Sequence, residues 1–125
     1  MTDRGNIAGD GPRKNPVLGV EAVGTACVVR LGGELDLHNA AQVRSALADA
    51  CAQVPERLVV DLAEVEFIDS TALGVLIETR TKLDNRGGLL LAAPGLETRR
   101  ALQISGLDKL FTVRDTVPEA LVAKV

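Results

Sequence analysis

The fold is decided by one stretch, Phe67-Ile68-Asp69-Ser70-Thr71-Ala72-Leu73-Gly74. An apolar run over residues 58–60 precedes it and predicts a strand, which we expect to end near Asp61 in a short acidic loop. After the stretch, apolar residues recur at the spacing of one helix face and predict a helix over residues 70 to about 85. The chain therefore passes from strand through loop to helix, with hydroxyl side chains at the start of the helix.

A helix N-terminus has unpaired backbone N–H groups and the positive end of the helix dipole, so it tolerates phosphate well. Ser70 in this place can carry a phosphate without unfolding its own helix. The alternative is structural, because Asp and Ser are strongly preferred as N-cap residues. On these residues alone, an N-cap at Asp69 or Ser70 is the favoured interpretation, and the rest of the chain has to decide between the two.

The composition is that of one ordinary globular domain. The chain has 125 residues, 46% of them hydrophobic and 25% charged. No apolar run approaches the about 18 residues of a membrane span, and no secretory signal is evident, so we expect a cytoplasmic location and no membrane partner. The chain has 14 basic and 17 acidic residues, so it lacks the excess of positive charge that nucleic-acid binding favours. Its aromatic residues are only Phe67 and Phe111, which is too few for stacking on bases, and we expect no nucleic-acid partner.

Residues suited to metal binding or catalysis are few. Cys27 and Cys51 have neither metal-ligand spacing nor the pattern of a disulfide framework, so we interpret them as small apolar core residues. His38 is interpreted as a solvated turn residue. The sequence contains no nucleophile elbow, no phosphate-binding glycine loop and no metal-ligand cluster. We therefore expect no enzymatic activity, no metal site and no cofactor.

The N-terminal part predicts a tail followed by a hairpin. Residues 1 to about 16 are rich in Gly, Pro, Asn and charge, and we expect a disordered tail. Residues 17–23 and 26–31 predict two strands joined at Gly24-Thr25. We interpret Gly32-Gly33 as turn glycines that break the second strand.

The remaining elements alternate. We expect a helix with Asn39 as its N-cap, an apolar face from Val43 to Val54 and an end at Pro55. The later segments predict strands over residues 58–62, 89–92 and 110–113, and helices over residues 70–85, 96–104 and from Thr116 onward. The order β-β-α-β-α-β-α-β-α predicts an α/β fold, with a mixed sheet over residues 17–125 and helices packed on it.

Two blocks of this sequence together carry a family resemblance. Gly33-Glu34-Leu35-Asp36 and Asp69-Ser70-Thr71-Ala72-Leu73-Gly74, in this order, resemble the STAS domain of bacterial anti-sigma factor antagonists. In that family the first block ends a strand before the first helix, and the second block opens the second helix with the phosphorylated serine. The resemblance covers about residues 17–125 and includes the later segment 104–111. It implies a single STAS-like domain.

The resemblance also implies functional residues. By position, Ser70 is the phosphorylation site, ahead of Thr71, and Asp36 is an acidic residue that supports partner recognition. The partner-binding residues expected are Asp36, Asp69, Ser70, Thr71, Ala72 and Gly74. Ala72 departs from the family, where glycine is common. Two structural alternatives stay open: Asp36 as a turn carboxylate, and Gly74, the favoured alternative there, as a small residue that lets the helix pack closely on the sheet.

The function that the resemblance implies is a protein-binding switch and not a catalyst. The unmodified chain would bind an anti-sigma factor and release a sigma factor. That partner, a serine kinase of the GHKL ATPase type, would phosphorylate Ser70 with its own ATP and magnesium, and a PP2C-type phosphatase would reverse the reaction. The alternative from a different class is a STAS adaptor subunit of a transporter or stress-sensing complex, in which Ser70 is not phosphorylated.

A phosphoaspartate receiver domain is a further candidate that the size and fold class suggest. A receiver needs adjacent acidic residues after its first strand and a lysine at the end of a late strand. This chain offers Glu34-Leu35-Asp36 at the first place, and Lys109 precedes its predicted strand. The sequence therefore argues against a receiver domain.

Overall fold

A computed structural model describes residues 15–83 and 88–124 of the chain. The elements in these ranges are β1 (Val17–Val23), β2 (Ala26–Leu35), α1 (Ala40–Ala52), β3 (Arg57–Ile68), α2 (Ser70–Lys82), β4 (Leu89–Ala92), α3 (Leu96–Ser105), a 3₁₀ turn (Leu107–Lys109), β5 (Thr112–Arg114) and α4 (Val117–Val122). Apart from the 3₁₀ turn, this order is the predicted one. None of these helices is long and apolar enough to cross a membrane.

The strands form one mixed sheet in the order β1-β2-β3-β4-β5. β1 and β2 pair antiparallel across a turn at Gly24, whose φ of 60° is in the left-handed region that glycine adopts readily. The other pairs, β2–β3, β3–β4 and β4–β5, are parallel. The hairpin followed by parallel crossovers confirms the predicted α/β class with a mixed N-terminal edge.

The sheet separates two apolar clusters. On the side that we call the front face, α1 and α2 cover strand residues that include Leu31, Leu35, Leu58, Val60 and Leu62. On the back face, residues at α4 cover Val28, Val59, Leu90 and Ala92. Leu58, Val59 and Val60 are each 0% exposed although they point to alternate sides. The continuously apolar run therefore forms a strand covered on both faces, as the sequence predicted.

The interpretation of Gly32-Gly33 as a turn is wrong. β2 runs through both glycines, and its pairing with β3 is irregular on either side of them. Gly33 has a φ of 75°, in the left-handed region that glycine adopts readily, while the extra residues of the two irregularities lie in β3. A Cβ at Gly32 would lie 2.7 Å from Cδ1 of Leu18, whose side chain crosses the glycine from β1. Gly32 thus permits a close side-chain approach, and Gly33 supplies a left-handed backbone opposite the bulges of β3.

The acidic loop expected after Asp61 is also wrong, because β3 continues to Ile68. The extended part pairs with the end of β2, where Gly32 lies opposite Glu64 and Leu35 opposite Ile68. The acidic side chains there are exposed, so their polarity indicates an open face of the sheet and not a loop.

The helix ends are close to the predicted ones, with local differences. α1 ends at Ala52, and Val54 lies outside it, 54% exposed and at a φ of 55°. The predicted end of the second helix near residue 85 lies outside the described residues. α3 ends at Gly106 in the left-handed conformation, and the Thr116 hydroxyl accepts a hydrogen bond from the Glu119 N–H at the start of α4, as predicted.

The last strand begins later than predicted. It covers Thr112–Arg114, because the residues before it form the 3₁₀ turn. Phe111, which we placed in the strand, is instead buried in the front cluster at the junction between the turn and the strand. At the other end of the chain, residues 1–14 of the expected tail lie outside the described residues. Pro16 is buried and its carbonyl accepts a hydrogen bond from the Gly32 N–H at 2.9 Å, so it contacts the domain.

The two cysteines are free thiols on the front side of the sheet. Cys27 is buried and Cys51 is half-buried. Burial raises the pKa of both thiols, and for Cys51 the nearby Lys82 opposes the effect. Both observations agree with the interpretation of these residues as small apolar side chains.

Two glycine substitutions should change stability in opposite directions. Gly33→Ala places a side chain at a positive φ and should lower the free energy of unfolding by about 1–2 kcal/mol. Gly74→Ala, in the exposed middle of α2 with open space around its Cβ, should raise it by about 0.5–1 kcal/mol. Urea unfolding of both variants and the wild type measures the two effects. Equal or same-sign changes would contradict the backbone assignment at Gly33.

Candidate functional site

The sheet brings the two sequence blocks to one place. β2 and β3 are parallel neighbours, and their last residues lie side by side, with Glu34 opposite Phe67 and Leu35 opposite Ile68. The loop that leads to α1 and the first turn of α2 therefore emerge together from the carboxyl end of the sheet. This is the end at which open α/β sheets commonly place their binding sites.

Asp69 joins the two blocks through both oxygens of its carboxylate. Oδ1 accepts a hydrogen bond from the Ala72 N–H at 3.0 Å, so Asp69 is the N-cap of α2. Oδ2 accepts a hydrogen bond from the Leu37 N–H at 3.1 Å, in the loop after β2. The backbone N–H of Asp69 donates to the Leu35 carbonyl at 3.0 Å. One side chain thus starts α2 and holds the neighbouring loop against it.

Ser70 is the first residue of α2 and is exposed. Because Asp69 is the N-cap, the Ser70 hydroxyl is not needed for capping, and no hydrogen bond of this hydroxyl is found within residues 15–83 and 88–124. Thr71 is half-buried, so Ser70 is the more accessible of the two hydroxyl groups. This exposure favours Ser70 over Thr71 as the phosphorylation site. The assignment stays a prediction.

The loop after β2 is braced by Asn39, a role that the sequence did not predict. We expected this residue as the N-cap of α1; it occupies that position, yet its side chain makes no capping hydrogen bond. Its Nδ2 donates to the Glu34 carbonyl at 2.7 Å, and its Oδ1 accepts from the Asp36 N–H at 2.9 Å. Asn39 is 5% exposed, so these bonds are shielded from water and fix the loop.

Asp36 takes part in the same turn. Its Oδ1 accepts a hydrogen bond from the His38 N–H at 2.9 Å, which is the geometry of an Asx turn. Through this oxygen Asp36 is a turn carboxylate, which was the structural alternative to a role in partner recognition. His38 is exposed, as expected of a solvated turn residue.

The exposed surface around Ser70 differs from the predicted set of partner-binding residues. Ala72 is 1% exposed and packs in the front cluster, so its side chain is not part of this surface. Gly74 is exposed and a Cβ there would meet nothing within 4 Å, so close packing on the sheet is the wrong interpretation. Leu37 at 69% exposure and Ile77 at 37% were missed. The available signal for Leu37 was an apolar residue in a polar turn.

The surroundings of the Ser70 hydroxyl define what the site presents to an approaching molecule. No basic or acidic side chain is hydrogen-bonded to the Ser70 hydroxyl among the described residues, and both Asp69 oxygens accept backbone hydrogen bonds. Within the same residues no group of His, Cys, Asp and Glu side chains could hold a metal ion. What the geometry presents is an exposed hydroxyl at the positive end of a helix dipole, beside a carboxylate.

Comparisons with known proteins agree on one family. The family model described as STAS domain matches residues 18–120. The anti-sigma-F factor antagonist RsfB of Mycobacterium tuberculosis is 38% identical over 94 residues, which cover 75% of this chain and 77% of that protein. A crystal structure of an anti-sigma factor antagonist from Mycobacterium paratuberculosis is 37% identical, with a TM-score of 0.77, over 82% of this chain and 87% of that one.

A third relative, SpoIIAA, has been solved in two forms. The anti-sigma factor antagonist SpoIIAA in its unphosphorylated form is 28% identical, with a TM-score of 0.71, over 82% of this chain and 91% of that one. The Bacillus cell fate determinant SpoIIAA in the phosphorylated form is 28% identical, with a TM-score of 0.63, over 82% of this chain and 95% of that one.

Two substitutions separate the two hydrogen bonds of the Asp69 carboxylate. Asp69→Asn keeps an oxygen for the Ala72 N–H but loses the acceptor for Leu37, and should lower the free energy of unfolding by about 1–2 kcal/mol. Asp69→Ala also loses the cap and should cost about 1 kcal/mol more. Hydrogen exchange at the Leu37 amide should accelerate in both variants.

Asp108→Asn, an exposed acid of the 3₁₀ turn, is the matched control for the loss of one negative charge. This variant should leave the hydrogen-exchange rate of the Leu37 amide unchanged. An unchanged exchange rate at Leu37 in Asp69→Asn would show that the carboxylate does not hold the loop in solution.

Proposed function

This chain belongs to the STAS domain family, and we propose that it is an anti-sigma factor antagonist whose partner binding is switched off by phosphorylation of Ser70. The observation that carries the proposal is the exposed Ser70 hydroxyl at the N-terminus of α2, held next to the loop of the first block by Asp69. The two blocks that suggested the family from the sequence thus form one surface.

The relatives support the general role. RsfB, described as an anti-sigma-F factor antagonist, matches over most of both chains, and so does the anti-sigma factor antagonist of Mycobacterium paratuberculosis. Such antagonists are regulators that act by binding another protein. A protein of this family, SpoIIAA, has a phosphorylated form whose structure also matches the fold of this chain. This supports phosphorylation as the switch here, with a non-enzymatic role for the chain.

The geometry of the site supports an effect of phosphate on binding more than on folding. A phosphoserine carries about −1.5 to −2 charges at neutral pH. On Ser70 it would lie at the positive end of the α2 dipole, which stabilises an anion at that position. It would also add charge beside the carboxylates of Asp69 and the Asp36 turn, so a partner that approaches these groups meets like-charge repulsion and a larger desolvation cost.

The proposed partner is an anti-sigma factor that is also a serine kinase of the GHKL ATPase type. It would supply the ATP and magnesium, so the chain itself needs no cofactor. A PP2C-type phosphatase would restore the unmodified form. Leu37, in the loop that Asp69 holds, and Ile77, two turns after Ser70 in α2, are both exposed and offer apolar contacts that a protein partner of this kind can bury. The proposed location is the cytoplasm, where sigma factors act.

Substitutions at Ser70 should separate modification from binding. Ser70→Ala should bind the cognate anti-sigma kinase as tightly as wild type but accept no phosphate. Ser70→Asp should bind about tenfold more weakly, which is 1.4 kcal/mol, because its single charge imitates only part of the phosphate. Titration calorimetry and a kinase assay with labelled ATP measure the two properties.

Thr71→Ala is the matched control and should be phosphorylated at the wild-type rate. The free energy of unfolding of Ser70→Asp should lie within about 0.5 kcal/mol of wild type, since surface substitutions outside special sites have small effects. Wild-type affinity in Ser70→Asp would show that electrostatic exclusion is the wrong account. Loss of phosphorylation in Thr71→Ala alone would move the acceptor to Thr71.

A further inference from the structure

Within the described residues, β1 leaves one edge of the sheet open. It is the outermost strand of the sheet that the described residues form, and Glu21 is its only charged residue. Leu18 and Val20 are 46% and 55% exposed. On the front side a groove of about 500 Å³ lies between the start of β1 and α1, so the helix does not close over the strand. An open, apolar edge strand of this length is a template for pairing with another strand.

Arg30 of β2 extends towards this open edge. A Cβ at Gly19 would lie 2.7 Å from an Nη atom of Arg30, so the guanidinium lies across the glycine. Asp61 is the neighbour of Arg30 in β3, yet no ion pair of Arg30 is found within residues 15–83 and 88–124. The same holds for Glu21. A positive charge therefore lies over β1 next to the edge, and a negative charge lies two residues further along the same strand.

We propose that two copies of this chain associate through their β1 strands, antiparallel, with Val20 of each copy opposite Val20 of the other. This register places Gly19 of one copy opposite Glu21 of the second copy, and the reverse. Residues directly opposite in an antiparallel pair have Cα atoms about 5 Å apart and side chains on the same face. Glu21 of the second copy therefore comes beside the Arg30 guanidinium that crosses Gly19.

Charge complementarity selects this register. Gly19 pairs with Arg30 and Glu21 pairs with Val28, and Val28 lies on the back face of the sheet, so both positions of β1 are on that face. The two-fold symmetry of the dimer therefore produces the Arg30–Glu21 contact twice on the back face. A register centred on Glu21 would place two carboxylates directly opposite each other, which is destabilising. A register centred on Ala22 would place Glu21 opposite Val23, without a basic partner. Of these three registers, only the one centred on Val20 brings opposite charges together.

The proposed dimer closes the open edge and leaves the site of Ser70 accessible. The pairing lies in the regular part of β1, beyond the irregularity between Val17 and Gly19. Val20 contacts its equivalent on the front face and loses exposed apolar area. None of the site residues belongs to β1, since Leu37 and Ser70 follow β2 and β3. One dimer would thus present two copies of the partner-binding surface. This inference does not depend on phosphorylation.

Charge reversal at the two residues tests the interface. Sedimentation equilibrium of the full chain from micromolar to near-millimolar concentration should show a monomer–dimer equilibrium. Glu21→Arg and Arg30→Glu should each raise the dimer Kd by about tenfold or more, because two ion pairs become two repulsions. The double variant E21R/R30E restores opposite charges and should return the Kd to within about threefold of wild type.

Asp108→Arg makes the same change of charge as Glu21→Arg at an exposed residue far along the chain, and should leave the Kd unchanged. Far-UV circular dichroism and a thermal melt of each variant distinguish a lost interface from a lost fold. A wild type that is monomeric over the whole range would overturn the proposal. So would a folded Glu21→Arg that dimerises as well as wild type, or a double variant that dimerises no better than its two parents.

Discussion

The rest of the site depends on the two hydrogen bonds that the carboxylate of Asp69 accepts. Its two oxygens point to different parts of the chain, one to the first turn of α2 and one to the loop after β2. The parallel register of β2 and β3 brings these parts within reach, and Asn39 fixes the loop from the other side. Neither block would form the surface alone. The bridge also relieves Ser70 of capping, so the hydroxyl next to it is exposed at the helix end.

This arrangement separates two consequences of adding charge. The helix end stabilises an anion, so the fold can accept it. The surface next to it already carries acidic groups that serve the turn and the cap, so a partner that binds there would bind the proposed phosphorylated form less tightly. Phosphorylation of a serine in the middle of a helix would tend to unfold that helix. Phosphorylation of a serine in a long loop would leave the position of the phosphate poorly fixed. A phosphate at the first helical residue would, as proposed, act mainly on binding.

The fold followed from the sequence wherever a single periodic pattern decided the element. Val43, Leu47 and Ala50 defined α1, and residues 58–60 defined a strand buried on both faces. The errors arose where pairing overrode a local signal. Gly32-Gly33 looks like a turn, but β2 continues through it beside the bulges of β3. The acidic residues after Asp61 look like a loop but are exposed on β3. Such outcomes depend on strand register, which local composition does not encode.

The site was predictable in its position and only partly in its members. From the sequence, Asp69 and Ser70 fit both an N-cap and a phosphorylation switch. The structure adds that the Asp69 carboxylate caps α2 and also accepts a hydrogen bond from Leu37 in the neighbouring loop. The roles of Asn39 and the exposure of Leu37 and Gly74 depend on how the two blocks meet in space. Ala72 was assigned by position in a motif, and its burial follows from which side of α2 faces the sheet. Side-chain direction in the assembled domain was the missing information.

The most direct test of the account is phosphopeptide mass analysis of the protein from its native cells, during growth and under stress. The account predicts phosphate on Ser70 in a proportion that changes with condition. Phosphate on Thr71 instead would contradict the assignment of the acceptor at the helix start. Complete coverage of this peptide without phosphate in any condition would contradict the switch itself, and would favour a STAS adaptor that acts without modification.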